Sequence, residues 1–260
     1  MAPEQYDIMS LAEDRHWWYQ GLRDAIGCCL QQHSMQLPPH PNVLDVGCGT
    51  GGNLRYLNTL LQPSYLAGFD LSELALTHAR RKCPNAEIYQ SDICQPELRS
   101  DAFDLIVSTD VLYMTGIKDT LPGLIKLTRA LKPGGLFLSN LPAYNWLTSE
   151  HDRVVHTRER YTLSLIRLLL RELDLECVCI SYRVFALLPL IVIRRFSSLL
   201  LRSRISPRSD LQQPAEWLNR VLFRVLQMEN RLFARGLQLP WGSSIFVVGQ
   251  KKFRFPSGDR

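Results

Sequence analysis

The sequence has no Cys-x-x-Cys pair. Its seven cysteines stand at 28, 29, 48, 83, 94, 177 and 179, an odd number without metal-ligand spacing, which argues against a disulfide framework or a zinc ribbon. No apolar run approaches the roughly 20 residues of a membrane-spanning helix. The longest runs, Ala186 to Ile193 and Ser198 to Leu201, are cut by Pro189, Arg194, Arg195 and Arg202. There is no repeat or low-complexity tract, and the opening Met-Ala-Pro-Glu-Gln lacks the basic and apolar pattern of a secretory leader. The expected location is therefore the cytoplasm, with reduced thiols. What is present fits an ordered globular chain: 260 residues, 46% hydrophobic and 21% charged. That length builds a sizeable core without a metal or a disulfide.

Acid is missing from one stretch. Residues 177–209 hold six Arg (183, 194, 195, 202, 204, 208) and no Asp or Glu, while the other 227 residues carry 24 basic against 25 acidic side chains. The net charge of +5 thus sits in one segment. These Arg are interleaved with Leu, Ile, Val and Phe, the pattern of a surface that meets anionic lipid or an amphiphile. Nucleic acid is not expected as a partner, since no RNA-binding module is recognisable.

From Asn42 to Leu141 short apolar runs alternate with helical patterns, the signature of a parallel sheet with crossover helices. Strands are expected at 42–46, 65–69, 87–90, 103–108, 135–140, 176–185 and 244–250, and helices near 51–61, 72–82, 117–131 and 163–173. Ser10 to His33 reads as one long helix ended by a Pro-rich linker. About 55 residues separate the last two strands, far more than a hairpin needs. Within them, Pro214 to Arg235 reads as an amphipathic helix with Leu218, Val221, Leu222, Val225, Met228 and Leu232 on its apolar stripe.

The strongest signal is Val43-Leu44-Asp45-Val46-Gly47-Cys48-Gly49-Thr50-Gly51-Gly52-Asn53, a strand running into a glycine turn that opens a helix. Gly47, Gly49 and Gly52 satisfy G-x-G-x-x-G, and Asp70 lies at the distance of a ribose contact, so the glycines alone admit a dinucleotide. Asp45 points elsewhere. A carboxylate two residues before the turn repels a pyrophosphate and attracts the sulfonium and ammonium of S-adenosylmethionine.

Here the sequence resembles the class I S-adenosylmethionine-dependent methyltransferases. The resemblance rests on the glycine turn, on Gly68-Phe69-Asp70-Leu71-Ser72, on Ser91-Asp92-Ile93, on the strand Phe103 to Ser108 and on Leu131-Lys132-Pro133-Gly134-Gly135. It implies an α/β, doubly wound, Rossmann-like sheet of seven strands with strand 7 antiparallel, an N-terminal helix and a helical insertion between strands 6 and 7. The single domain, 1–260, then comprises helix 10–33 over the cofactor pocket, core sheet within 42–185 and 243–252, and insertion 186–240. The implied cofactor-binding residues are Asp45, Gly47, Cys48, Gly49, Asn53, Asp70, Leu71, Asp92, Ile93 and Ser108. Trp17, Trp18, Tyr19 and Arg23 either line the pocket or anchor the helix on the sheet.

The acceptor is expected beyond the strand ends. Ser108-Thr109-Asp110-Val111 is not the Asn/Asp-Pro-Pro-Tyr/Phe of base or amide N-methylation. The segment 146–161 is dense in titrating groups and resembles a loop of bacterial quinone and natural-product O-methylases. His151 or His156, oriented by Asp152, is a candidate general base for an alcohol or phenol, against the alternative of a loop pinned by polar pairs. No metal site is expected, because two His five apart do not share a helix face. The expected reaction is transfer of methyl from S-adenosylmethionine to a small or lipid-like acceptor, on oxygen. The alternatives are C- or N-methylation, RNA methylation, or a non-catalytic accessory protein. The insertion, through residues 184–208 and the helix Pro214 to Arg235, is expected either to touch the membrane surface or grip an amphiphilic acceptor, or to pack on the core.

Overall fold

A computed structural model describes residues 3–32, 37–113, 117–148, 159–193 and 214–253. His151, Asp152 and His156, and Arg194, Arg195, Arg202, Arg204 and Arg208, lie outside the described residues. The elements run α1 (Pro3–Arg15), α2 (Trp17–Gln32), β1 (Asn42–Val46), α3 (Gly52–Leu61), β2 (Tyr65–Asp70), α4 (Glu73–Lys82), β3 (Glu87–Gln90) and β4 (Phe103–Thr109). They continue as α5 (Ile117–Ala130), β5 (Leu131–Pro142), α6 (Leu163–Glu172), β6 (Leu175–Arg183), α7 (Glu216–Ala234) and β7 (Ser244–Lys251).

The seven strands form one sheet in the order β3-β2-β1-β4-β5-β7-β6. β7 pairs antiparallel with both β5 and β6, and the other pairs are parallel. β4 is buried at every position, as a strand covered on both faces must be. The two-residue period then sorts the core. Leu44, Val46 and Ile106 point to the side of α5 and α6, where they meet Leu124, Leu127 and Ile166. Val43, Leu105 and Val107 point to the other side, against Leu22 and Ile26 of α2, Leu54 and Leu57 of α3 and Phe233 of α7. β5 begins at Leu131 instead of 135, because Leu131 pairs with Phe103 across a register shift.

The N-terminal helix is two helices, broken at His16. The break is held from a distance: Asn219 of α7 accepts from the Trp17 N–H through Oδ1 at 2.8 Å and donates through Nδ2 to the Arg15 carbonyl at 2.7 Å. His16 Nδ1 takes the Trp18 N–H at 3.3 Å. One amide side chain thus satisfies a donor and an acceptor that an unbroken helix would have paired internally.

α7 meets the core along one edge of its apolar stripe: Leu222 and Val225 are half-buried against Val184, Leu187 and Leu226, and the fully buried residues are Leu226, Glu229, Asn230 and Phe233. Glu229 accepts the backbone N–H groups of Phe185 and Ala186 at 3.1 and 2.7 Å. Asn230 donates to the Gly21 carbonyl at 2.9 Å and to Asp24 at 2.7 Å. These tethers turn the helix by about a quarter turn relative to its apolar stripe, leaving Trp217, Val221, Met228 and Leu232 outside. Among the described residues no helix is long and apolar enough to cross a membrane.

Candidate cofactor and acceptor site

The crossovers from β1 run to β2 on one side and, later in the chain, from β3 to β4 on the other, so the topological switch point lies between the carboxyl ends of β1 and β4. The glycine turn and Asp110 flank it. Gly47 (φ +68°), Gly49 (φ +53°) and Gly51 (φ +88°) take left-handed backbone. At Gly47 any Cβ would stand 2.2 Å from Val111 Cγ2, so the residues after β4 close directly onto the turn. A Cβ on Gly49 would meet only Met9 Cε, at 3.5 Å. That leaves the space over Gly49 covered by α1 alone.

The first three backbone donors of this turn are already used. Gly47 and Cys48 N–H both go to the Phe69 carbonyl, at 2.8 and 2.9 Å. Gly49 N–H goes to Asp70 Oδ2 at 3.0 Å, and Asp70 Oδ1 accepts from Ser72 N–H at 2.9 Å. Beside them stands Asp45, fully buried with its Oδ2 unpartnered. Burial first, then the nearby Glu13 and Asp70 carboxylates, push its pKa up to about 8. A buried carboxyl among other carboxylates gains most from a cation. This group of carboxylates therefore fits the sulfonium and ammonium of S-adenosylmethionine and would repel a pyrophosphate.

The other expected cofactor residues are distributed around this cleft. Cys48 is buried beneath the turn, and Asn53 donates to Thr109 Oγ1 at 2.8 Å, tying the start of α3 to the end of β4. Ser108 is buried with its hydroxyl unpartnered. Leu71 and Asp92 are exposed on the rim, Asp92 Oδ1 accepting the Cys94 N–H at 2.9 Å. Ile93 is buried, and α5 passes so close that a Cβ on Gly123 would lie 1.8 Å from the Ile93 carbonyl.

α1 lies over the turn and is fixed by its charges. Lys82 donates to the Ser10 carbonyl at 3.0 Å and to Glu13 Oε2 at 2.8 Å. Arg55 pairs with Asp14, and His78 Nε2 lies 3.2 Å from Asp7. Arg23 of α2 reaches the Glu13 carbonyl at 2.5 Å. Trp17 and Trp18, by contrast, pack against the cluster of Val184, Leu187 and Leu226, which is the anchoring role.

Across the switch point stands a polar chain that sequence reasoning missed. Asp110, at φ +58°, accepts from Asn140 Nδ2 at 2.9 Å. Asn140 Oδ1 accepts from Arg183 Nη1 at 3.1 Å, and Arg183 Nη2 donates to the Gly21 carbonyl at 2.9 Å. Burial raises the Asp110 pKa to about 6 against the lowering effects of Asn140 and Arg183. Burial lowers that of Arg183 to about 10. The only sequence signal was an Asp directly after strand 4. Its partners come from β5 and β6, and no local spacing joins them. Next to this chain Tyr144 stacks on Tyr182 at 5.0 Å between ring centroids and on Trp146 at 5.7 Å, an aromatic wall at the ends of β5 and β6.

Residues 43–135 match the family described as "Methyltransferase domain". That segment is a methyltransferase domain, and the sheet it belongs to has the class I order. S-adenosylmethionine is the cofactor such a domain takes. The chain is 33% identical over 101 residues to a dTDP-3-amino-3,4,6-trideoxy-alpha-D-glucopyranose N,N-dimethyltransferase of Streptomyces venezuelae, covering 38% of this chain and 41% of that one. It is 31% identical over 98 residues to a fatty-acid O-methyltransferase of Mycolicibacterium smegmatis, covering 37% and 35%. The matches thus span well under half of these relatives. In fold the chain is similar to a chain of the Haloferax volcanii complex between the Trm112 methyltransferase activator and a methyltransferase (TM-score 0.59, 20% identity, 92% of each chain). It is also similar to an S-adenosylmethionine-dependent methyltransferase of Mesorhizobium loti (TM-score 0.55, 17% identity, 85% of this chain and 96% of that one).

Proposed function

We propose that this methyltransferase domain moves a methyl group from S-adenosylmethionine to a small or lipid-like acceptor, on oxygen, in the cytoplasm. The observation that carries the reading is Asp45: a buried carboxyl with one oxygen unpartnered, beside the Glu13 and Asp70 carboxylates. S-adenosylmethionine, when bound, supplies an electrophilic methyl on a sulfonium. Asp45, Gly47, Gly49 and Asp70 would hold it, with Asp92 and Ile93 at the far rim and Met9 closing the cleft. At the ends of β5 and β6 the exposed Trp146 stacks on Tyr144, which stacks in turn on the buried Tyr182, and this aromatic stack would offer the acceptor its surface. Flat apolar walls suit a planar or alkyl acceptor, and positioning for in-line attack supplies much of the rate. The fatty-acid O-methyltransferase among the relatives supports oxygen; the N,N-dimethyltransferase makes nitrogen the second reading.

Attack by a hydroxyl requires a base. Asp110 flanks the crevice from the β4 side and is held by Asn140, with an elevated pKa that suits proton transfer near neutrality. The His151 and His156 pair with Asp152 is the other source. The test is mass spectrometry of extract components that gain one methyl only when protein and cofactor are both present. Once the acceptor is in hand, turnover should rise with pH through a limb near 6. Asp110→Asn should abolish that limb, while His151→Gln and His156→Gln leave it. The opposite pattern would move the base to the histidines.

A further inference from the structure

We infer that the outward face of α7 docks on an anionic lipid surface. The inference goes beyond methyl transfer and stands without it.

The face is made by four residues in helical register. Trp217 (65% exposed), Val221 (49%), Met228 (65%) and Leu232 (39%) lie within about 60° of one another around the helix and extend over about 23 Å of its axis. Single exposed apolar side chains are ordinary; a continuous line of them is not. The line is a consequence of how the helix is held. Glu229 and Asn230 are turned inward to satisfy the Phe185 and Ala186 N–H groups and the Gly21 carbonyl, so one edge of the apolar stripe is turned out while Leu222 and Val225 stay half-buried.

Charge selects the occupant. Arg220, Arg224 and Arg231 are exposed and fall on the flank of that stripe, again within about 60°. Glu216 is the one exposed acid on the helix; it stands at the first residue, 3.9 Å from Arg220. An apolar stripe bordered along its length by Arg is the arrangement of a helix lying in a membrane interface. The stems of the arginines cover apolar surface while the guanidinium groups meet phosphate oxygens in bidentate pairs. The sequence before the helix, 177–209, carries six Arg and no acid.

The test is sedimentation of the full chain with sucrose-loaded vesicles, of phosphatidylcholine alone and of phosphatidylcholine with phosphatidylglycerol in equal amounts. The protein should pellet with the mixed vesicles and not with the neutral ones, and added salt should release it. Each Arg neutralised should lower partitioning about fivefold, so the triple change Arg220→Gln, Arg224→Gln and Arg231→Gln should lower it roughly a hundredfold. Met228→Glu should release the protein by the apolar route. All four side chains point away from the cleft, so both variants should bind S-adenosylmethionine in calorimetry as the parent does, which certifies their fold. Equal pelleting with both vesicle types, or pelleting that neither variant weakens, would overturn the proposal. So would failure to pellet together with a dimer in sedimentation velocity that Met228→Glu dissolves, a result that assigns the face to a second copy of the chain. Pelleting by a protein that binds no S-adenosylmethionine would remove the methyl-transfer reading and leave this one.

Discussion

Asp70 has two tasks at once. Its oxygens hold the Gly49 and Ser72 N–H groups, and by family resemblance the same carboxylate meets the ribose diol. Removing it therefore both frees the glycine turn and leaves hydroxyls unpaired, each a loss of about 1–3 kcal/mol. Asp70→Ala should weaken S-adenosylmethionine binding at least tenfold in calorimetry and lower the melting temperature. Asp70→Asn keeps one amide oxygen as acceptor and should fall between. Unchanged affinity in a folded Asp70→Ala protein would remove Asp70 from the site. The residues that could be read from the sequence were those whose chemistry is local: glycines that need positive φ, an Asp at a strand end, an acid before a turn. Asp110 escaped because its meaning depends on Asn140 and Arg183, which are 30 and 73 positions away and meet it only when β4, β5 and β6 align.

Among the elements, the strands were legible to within a residue or two, apart from the early start of β5, because buried parallel strands write themselves as continuous apolar runs. The helices that pack on the sheet were legible for the same reason, through their 3.6-residue period. The break at His16 and the rotation of α7 share one cause. The break is created by Asn219, and the rotation by Glu229 and Asn230; in each case polar side chains satisfy backbone groups far off in sequence. A periodic pattern shows the apolar stripe and not the buried polar tether that sets how far it turns toward the core. The tether is strong enough to test. Glu229→Ala leaves the Phe185 and Ala186 N–H groups without their acceptor and should cost about 2–4 kcal/mol in denaturant unfolding. Glu229→Gln, which retains a carbonyl oxygen, should cost about half as much. A loss below about 0.5 kcal/mol for Glu229→Ala would mean that the register of α7 is set by its apolar contacts.

For the whole molecule, the cleft between β1 and β4 concentrates carboxylates: Asp45, Asp70, Glu13 and Asp110 all surround or approach it, and Glu13 is the one with a lysine partner. Without a cation this arrangement opposes folding. The Asp45 pKa is raised in the folded chain relative to an unfolded carboxylate, so the folded state binds the extra proton, and stability falls as pH rises from about 4 to about 8. A cationic ligand reverses the sign. It favours ionised Asp45, so binding must expel a proton wherever Asp45 is protonated in the free protein. The account therefore turns on calorimetric titration of the protein with S-adenosylmethionine between pH 5.5 and 6.5, about a unit or more below the pKa of an α-amino group. In buffers of different ionisation enthalpy it should show close to one proton released and an affinity that rises nearly tenfold per pH unit, with both effects absent in Asp45→Asn. An affinity independent of pH, no proton released, or an Asp45→Asn protein that binds as tightly as the parent would contradict it.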